Sequence, residues 1–113
     1  STRNVAALGS GAQTVADMGA KLQVDRLHAI GLEALRNNEF EQAARALALA
    51  AARGHARAQL HYGVLCEHGI GVPADIERAR NLYREAGAQG DVDAHFRLQV
   101  VDLLRAREAT TGL

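Results

Sequence analysis

The sequence is poor in residues that cross-link or interrupt a fold. It has one cysteine, Cys66, and one proline, Pro73. A single cysteine cannot form an intramolecular disulfide, so the chain is not a disulfide-stabilised scaffold. Tryptophan is absent, and the aromatic residues are two phenylalanines and two tyrosines. The core must therefore be built mostly from small and aliphatic side chains.

An excess of charge of one sign is also missing, because thirteen Lys and Arg balance thirteen Asp and Glu. This balance argues against the basic surface that nucleic acid or an anionic membrane selects, and we expect no nucleic-acid partner. No apolar run approaches the roughly 20 residues of a membrane span, so no direct membrane insertion is expected. No signal peptide is visible in residues 1–22, and the cytoplasm and the periplasm both remain open.

Alanine is the commonest residue, with 23 copies among 113 residues. It is the best helix former, whereas the runs of Val, Ile and Thr that favour strands are missing. The length suits one domain. Composition therefore predicts a single all-α domain.

The spacing of apolar residues and of helix breakers predicts five helices. They cover 25–37, 39–53 and 56–68, then run from a cap at Asp75 to about Gln89 and from a cap at Asp91 to about Arg107. Residues 109–113 are expected to be a frayed tail. Residues 1–22 form a separate N-terminal segment with apolar residues at a spacing of three and four, which indicates a possible sixth helix: Val5, Leu8, Ala12, Val15, Gly19 and Leu22.

An internal repeat is the strongest pattern in the chain. Gly54 and Gly90 are separated by 36 residues, and so are Ala58 and Ala94. One unit is a pair of antiparallel helices, which cannot bury its apolar faces alone and must stack on its neighbours.

The repeat resembles the Sel1-like repeat, a branch of the tetratricopeptide superfamily common in bacteria. The resemblance covers residues 50–98 and implies a short right-handed α-solenoid with units at about 24–53 and 56–89 and a capping helix at 91–107. The chain departs from the family pattern at Cys66, where an aromatic residue is usual, and at Gly87 and Gln99. The residues that carry the resemblance are Ala51-Ala52, Gly54, Ala58-Gln59, Tyr62-Gly63, Gly69-Ile70-Gly71-Val72, Asp75, Ala79, Leu82-Tyr83, Ala86, Gly90 and Ala94.

Catalytic and metal chemistry find little support in the sequence. His61 and His68 share a helix face, but no HxxxH or CxxC spacing accompanies them, so we expect no metal and no cofactor. The register places Cys66 between helix layers, where a cysteine behaves as a small hydrophobe. The glycines of the loop at 69–72 lack the Lys and Ser/Thr of a phosphate-binding loop. We therefore predict no catalytic residue.

The resemblance assigns the first helix of each unit to a concave groove. With Gly31 and Gly63 as registration marks, the core-facing set is Leu27, Ile30, Ala34, Ala58, Tyr62, Cys66, Ala94 and Leu98, while Phe40, Leu47, Tyr62 and Tyr83 fill the spaces between layers. The predicted groove residues are Asp25, His28, Leu32, Leu35 and Arg36 in the first unit, Arg57, Leu60, Val64 and Glu67 in the second, and Asp93, Phe96, Val100 and Leu103 in the third.

An apolar stripe of this size must be covered by something. The cover can be a helix or extended peptide of a partner protein, residues 1–22 of the same chain, or a second copy in a homodimer. The resemblance implies a non-catalytic adaptor, scaffold or chaperone-like module that binds proteins, including in bacterial secretion and envelope complexes. The alternative is a small hydrolase or antibiotic-binding protein, although family members of that kind carry paired cysteines that this chain lacks.

Overall fold

The computed structural model describes the backbone of residues 2–111 and the side chains of residues 14–111. This part of the chain is built from helices and contains no strand. The prediction of an all-α solenoid of helix pairs is confirmed. The helices are α1 (Thr2–Arg36), α2 (Phe40–Ala52), α3 (Ala56–His68), α4 (Ile76–Ala88) and α5 (Val92–Thr111).

The first and last helices are longer than the sequence patterns predict. α1 runs without a break from Thr2, so residues 14–22 continue the first helix instead of folding back across the groove. Gly19 lies inside α1 with open space around it, and one glycine costs a helix only about 1 kcal/mol, which does not end it. At the other end, residues 109–111 are helical, although a frayed tail was expected. The side chains of Val5, Leu8 and Ala12 lie outside the described residues.

Successive helices pack on one another in chain order, from α1 on α2 to α4 on α5. Small side chains lie where the helices pack most closely. Four alanines there have no exposed surface: Ala43, Ala58, Ala79 and Ala94. The larger side chains that fill the interior are Leu47, Cys66 and Tyr83, which are fully buried. The burial of Leu47 and Tyr83 agrees with the prediction that they fill the spaces between layers.

Two glycines allow the paired helices to approach closely. A Cβ atom at Gly31 would lie 2.6 Å from Cγ of Leu47, and one at Gly63 would lie 2.6 Å from Cε1 of Tyr83. Both distances are shorter than a methyl group tolerates against a buried side chain. Glycine at these two positions therefore allows Leu47 and Tyr83 to pack directly on the helix backbones.

The turns before α3 and α5 have the same construction, 36 residues apart. Gly54 and Gly90 have φ angles of +88° and +100°. The next residue caps the following helix in each case: Nδ1 of His55 accepts from the Ala58 N–H at 3.1 Å, and Oδ1 of Asp91 accepts from the Ala94 N–H at 2.9 Å. The 36-residue repeat in the sequence is thus accompanied by equivalent hydrogen bonds at the starts of α3 and α5.

The loop between α3 and α4 fixes the start of the second helix of that unit. Gly71 lies so close to the backbone carbonyl of Phe40 that any side chain there would collide with it. The loop closes through a 2.7 Å bond from the Asp75 N–H to the Cys66 carbonyl. The Asp75 carboxylate then caps α4 by accepting from the Arg78 N–H at 3.1 Å, as the sequence predicts.

Two residues expected in the interior are exposed. Ile30, assigned to the core face of α1, is 52% exposed, because α1 is the outermost helix of the stack and presents this position to solvent. Phe40, expected between layers, is 42% exposed. It is the first residue of α2, and its carbonyl group lies against the loop at Gly71.

Candidate functional site: a groove between α3 and α5

An open groove of about 430 Å³ runs between α3 and α5. Both helices are first helices of their units, so the predicted groove positions of the second and third units come together here. They alternate with residues that the sequence did not assign to the groove: His61, Arg97 and Val101. The lining consists of Arg57, Leu60, His61, Val64, Glu67, Asp93, Phe96, Arg97, Val100 and Val101.

The apolar part of the groove has a buried floor and an exposed wall. Leu60 forms the floor and is only 4% exposed, because it belongs to the same cluster as the interior residues. Phe96, at the equivalent position of the next unit, is 63% exposed. The prediction that Leu60 lies away from the core was therefore wrong, and Val64, Phe96 and Val100 supply the accessible apolar surface.

The amino end of the groove is closed by an ionic cluster. One guanidinium nitrogen of Arg57 lies 3.2 Å from Oδ2 of Asp91 and 2.7 Å from Oδ2 of Asp93. The hydrogen bond to Asp93 raises the pKa of Arg57 above its usual range, and burial acts against this rise. Since Asp91 also caps α5, this cluster ties the start of α5 to α3.

At the other end of the groove, a glutamate of the lining is bonded to a tyrosine that is buried on α4. The Tyr83 hydroxyl donates to Oε1 of Glu67 at 2.6 Å. Burial, followed by the hydrogen bond to Glu67, raises the pKa of Tyr83 well above its ordinary value. Glu67 is thereby held in place by α4, while the neighbouring Arg97 lines the groove from α5.

The predicted groove residues of the first unit do not reach this groove. Asp25 lies 3.2 Å from Nε2 of His55 at the start of α3. Leu32 and Leu35 are partly buried, and Leu35 packs against the core. Arg36 pairs with Glu33 on the surface of α1. In the third unit, Leu103 is exposed on α5 just beyond the residues that line the groove.

Three histidine rings form a row between α1 and α3. The ring centroid of His28 lies 4.4 Å from that of His55 and 5.4 Å from that of His61. Burial, with smaller contributions from His55, His61 and Arg57, lowers the pKa of His28 from its usual 6.5 to about 4. Its Nε2 atom is buried without a hydrogen-bond partner among the described residues.

Sequence reasoning missed this histidine row because its members come from two helices and share no spacing. From the sequence, His61 and His68 share one helix face, and they were considered as metal ligands although no metal was predicted there. The His28 ring is stacked on that of His61 and tilted against that of His55. In the described part of the chain, no group of three His, Cys, Asp or Glu side chains is arranged to hold a metal ion.

Cys66 has the interior position that the repeat register predicts. It is 1% exposed and free. Burial raises the pKa of its thiol, with the hydrogen bond to Tyr62 acting in the opposite direction. A nucleophilic cysteine needs an accessible thiolate, so this site is poorly suited to nucleophilic catalysis.

Residues 56–91 match the family model of the Sel1 repeat. The chain contains a Sel1 repeat. The matched segment is the unit made of α3, the loop at 69–75 and α4, and it ends at the cap of α5. No curated protein matches the chain.

Sel1 repeats generally mediate protein–protein interaction and are typically non-catalytic. The resemblance drawn from the loop glycines and the spaced alanines is thus confirmed for the Sel1 repeat. Among the described helices, none combines the length and the apolarity needed to cross a membrane.

Proposed function

We propose that this protein is a non-catalytic adaptor whose groove between α3 and α5 binds a helix or an extended segment of a partner protein. One observation carries the proposal: Val64, Phe96 and Val100 line an open concave surface over the floor made by Leu60. Apolar grooves between helices bind the apolar face of an amphipathic segment. Burying one side chain such as Phe96 contributes about 1.5–3 kcal/mol, so a few anchors decide the affinity.

The polar residues at the two ends of the groove define what the partner must carry. Arg57 and Asp93 lie at one end, and Glu67 and Arg97 at the other. Each end therefore offers both signs of charge, which favours polar or oppositely charged partner side chains outside an apolar centre. Such rim charges contribute mainly to orientation and association rate.

The biological role that the resemblance implies is the assembly of a larger complex, such as a bacterial secretion or envelope system. The alternative, a small hydrolase or antibiotic-binding protein, is disfavoured by the burial of Cys66 and the raised pKa of its thiol.

Site-specific photo-crosslinking in cells tests the proposal. A benzophenone side chain is placed at Val100 in the groove and, as a matched control, at Leu49, which is exposed on α2. We expect the probe at Val100 to label one defined segment of a partner protein, mapped by mass spectrometry, and the probe at Leu49 not to label it.

A second variant asks whether the groove itself causes the labelling. Phe96→Asp removes the largest accessible anchor and should abolish the cross-link from Val100 while leaving the circular dichroism spectrum unchanged. Equal labelling from Leu49, or labelling that survives Phe96→Asp in a folded protein, would show that the groove is not the binding site.

A further inference from the structure

Two helices of this chain, α1 and α5, each carry an exposed apolar face. On α1, Val15, Met18 and Leu22 are 69%, 59% and 62% exposed. On α5, Phe96, Val100 and Leu103 are 63%, 38% and 72% exposed. We call these sets the α1 face and the α5 face. α1 is continuous, and Val15 and Met18 precede the part of α1, from Ala20 on, that borders the start of α3.

The projecting part of α1 needs a partner for a general reason. A single helical segment without tertiary contacts is marginally stable in water, and most helix stability in proteins comes from packing an amphipathic face. Its apolar side chains are at a spacing of three and four residues, which is the pattern of a helix that packs lengthwise on another helix.

The spacings of the two faces match when the helices run in opposite directions. From Phe96, the α5 face continues after four and seven residues. Read backwards from Leu22, the α1 face also continues after four and seven residues. Antiparallel packing therefore places Leu22 against Phe96, Met18 against Val100, and Val15 against Leu103, all within a length of about 10 Å.

The residues that flank the two faces are compatible in this register. Lys21 falls beside Gln99, and Gly19 falls beside Arg97, so no two like charges flank the three apolar pairs; one step beyond them, Asp25 falls opposite Asp93 at the end of the contact. Gly19 also leaves room for the long Arg97 side chain, since nothing lies within 4 Å of its Cβ position.

We propose that the α1 face of one copy packs antiparallel on the α5 face of a second copy, and that the exchange is reciprocal, giving a twofold-symmetric homodimer. This proposal rests on the proposed function, because it assumes that the groove beside α5 binds a helix. It identifies that helix as α1 of a second copy. With roughly 100 Å² exposed on each of six side chains, one contact buries about 600 Å² and the reciprocal pair about 1,200 Å², which is the lower end of stable interfaces. A contact at the lower end of this size range leaves the groove open to competition by another protein.

Complementary charges test the exchange in the full-length chain. Met18→Glu and Val100→Lys each place a charge on one face, at positions exposed enough to leave the monomer folded. Sedimentation equilibrium should show a dimer for the wild type and monomers for each variant alone. An equimolar mixture should dimerise again, because a mixed dimer has one unaltered contact and one Glu–Lys contact.

The mixture separates this arrangement from the alternatives. A dimer formed through two α1 faces would be unaffected by Val100→Lys, and one formed through two α5 faces would be unaffected by Met18→Glu; either result overturns the proposal. Val15→Glu mixed with Leu103→Lys repeats the test at the other end of the face, and Leu49→Glu serves as a matched control that should remain dimeric. A wild type that is monomeric at its highest soluble concentration rejects the exchange but leaves partner binding by the groove intact, since that is measured by the cross-link from Val100.

Discussion

α3 and α5 occupy equivalent places in the repeat. The comparison between them shows that the position of a helix in the stack determines whether a residue is buried or exposed. Leu60 and Phe96 are 36 residues apart, yet Leu60 is buried and Phe96 is largely exposed. Cys66 is buried between layers, whereas Asp102, its equivalent, is exposed and forms a 2.7 Å ion pair with Arg80. Helices on both sides cover α3, while α5 has one covered side among the described residues.

The difference extends to the glycine positions. Gly63 allows Tyr83 to pack directly on the α3 backbone, and its equivalent in α5 is Gln99, which is exposed. The α5 helix therefore keeps the alanine that packs inwards, Ala94, but carries polar residues where another helix would have to approach. Equivalent positions of the repeat thus carry residues suited to an interior helix in α3 and to an end helix in α5.

The largest expected effect comes from placing the same charge at the two equivalent positions Leu60 and Phe96. Leu60→Asp buries a carboxylate without a partner and should destabilise the protein by about 4 kcal/mol or more. Phe96→Asp places the carboxylate in solvent and should change stability by less than about 1 kcal/mol. Urea unfolding followed by circular dichroism measures both, and similar losses in the two variants would contradict the assignment of Leu60 to the core and Phe96 to the surface.

A smaller effect is expected at Gly63 and Gln99. Gly63→Ala adds a methyl group 2.6 Å from a Tyr83 ring atom, and this overpacking should cost about 2 kcal/mol net of the gain in helix propensity. Gln99→Ala should be neutral or slightly stabilising, because it removes no interior contact and alanine is the better helix former. Urea unfolding measures both variants. A Gly63→Ala variant more stable than Gln99→Ala would contradict the role of Gly63 in close helix packing.

The smallest expected effect concerns pH and the side of α3 that faces α1. The His28 pKa is about 4 in the folded protein and near 6.5 when unfolded, so between these values the unfolded chain binds more protons. Stability should therefore be highest above pH 6.5, fall as the pH is lowered towards 4, and show no further loss from this group below that. Burial also lowers the pKa of His61, which contributes a loss of the same sign.

His28→Phe keeps a ring in the row and removes the titrating group. The variant should lose less stability than the wild type between pH 6.5 and pH 4.5, as measured by thermal unfolding across this range. Arg57 contributes to the lowered pKa of both His28 and His61, so Arg57→Gln should weaken this pH dependence without abolishing it. An unchanged pH profile in His28→Phe would show that His28 is not a source of it.

Much of this architecture follows from local patterns in the sequence. The caps at Asp75 and Asp91 and the burial of Cys66 were predicted, because each depends on a few neighbouring residues or on the repeat register. The errors arose at the edges of the stack. Ile30 and Phe40 have the residue type of a core position, but the helices around them leave about half of each side chain exposed.

The sequence by itself determined the helices, their pairing and the small residues at their crossings, since helix propensity, capping and a 36-residue period act over short distances. Only the tertiary structure decided which apolar residues form the buried floor of the groove and which are exposed on its wall, because exposure depends on how many helices lie against a position. It also decided that α1 continues past the stack and that His28, His55 and His61 meet in one row. Those contacts join residues far apart in the chain, and no spacing in the sequence encodes them.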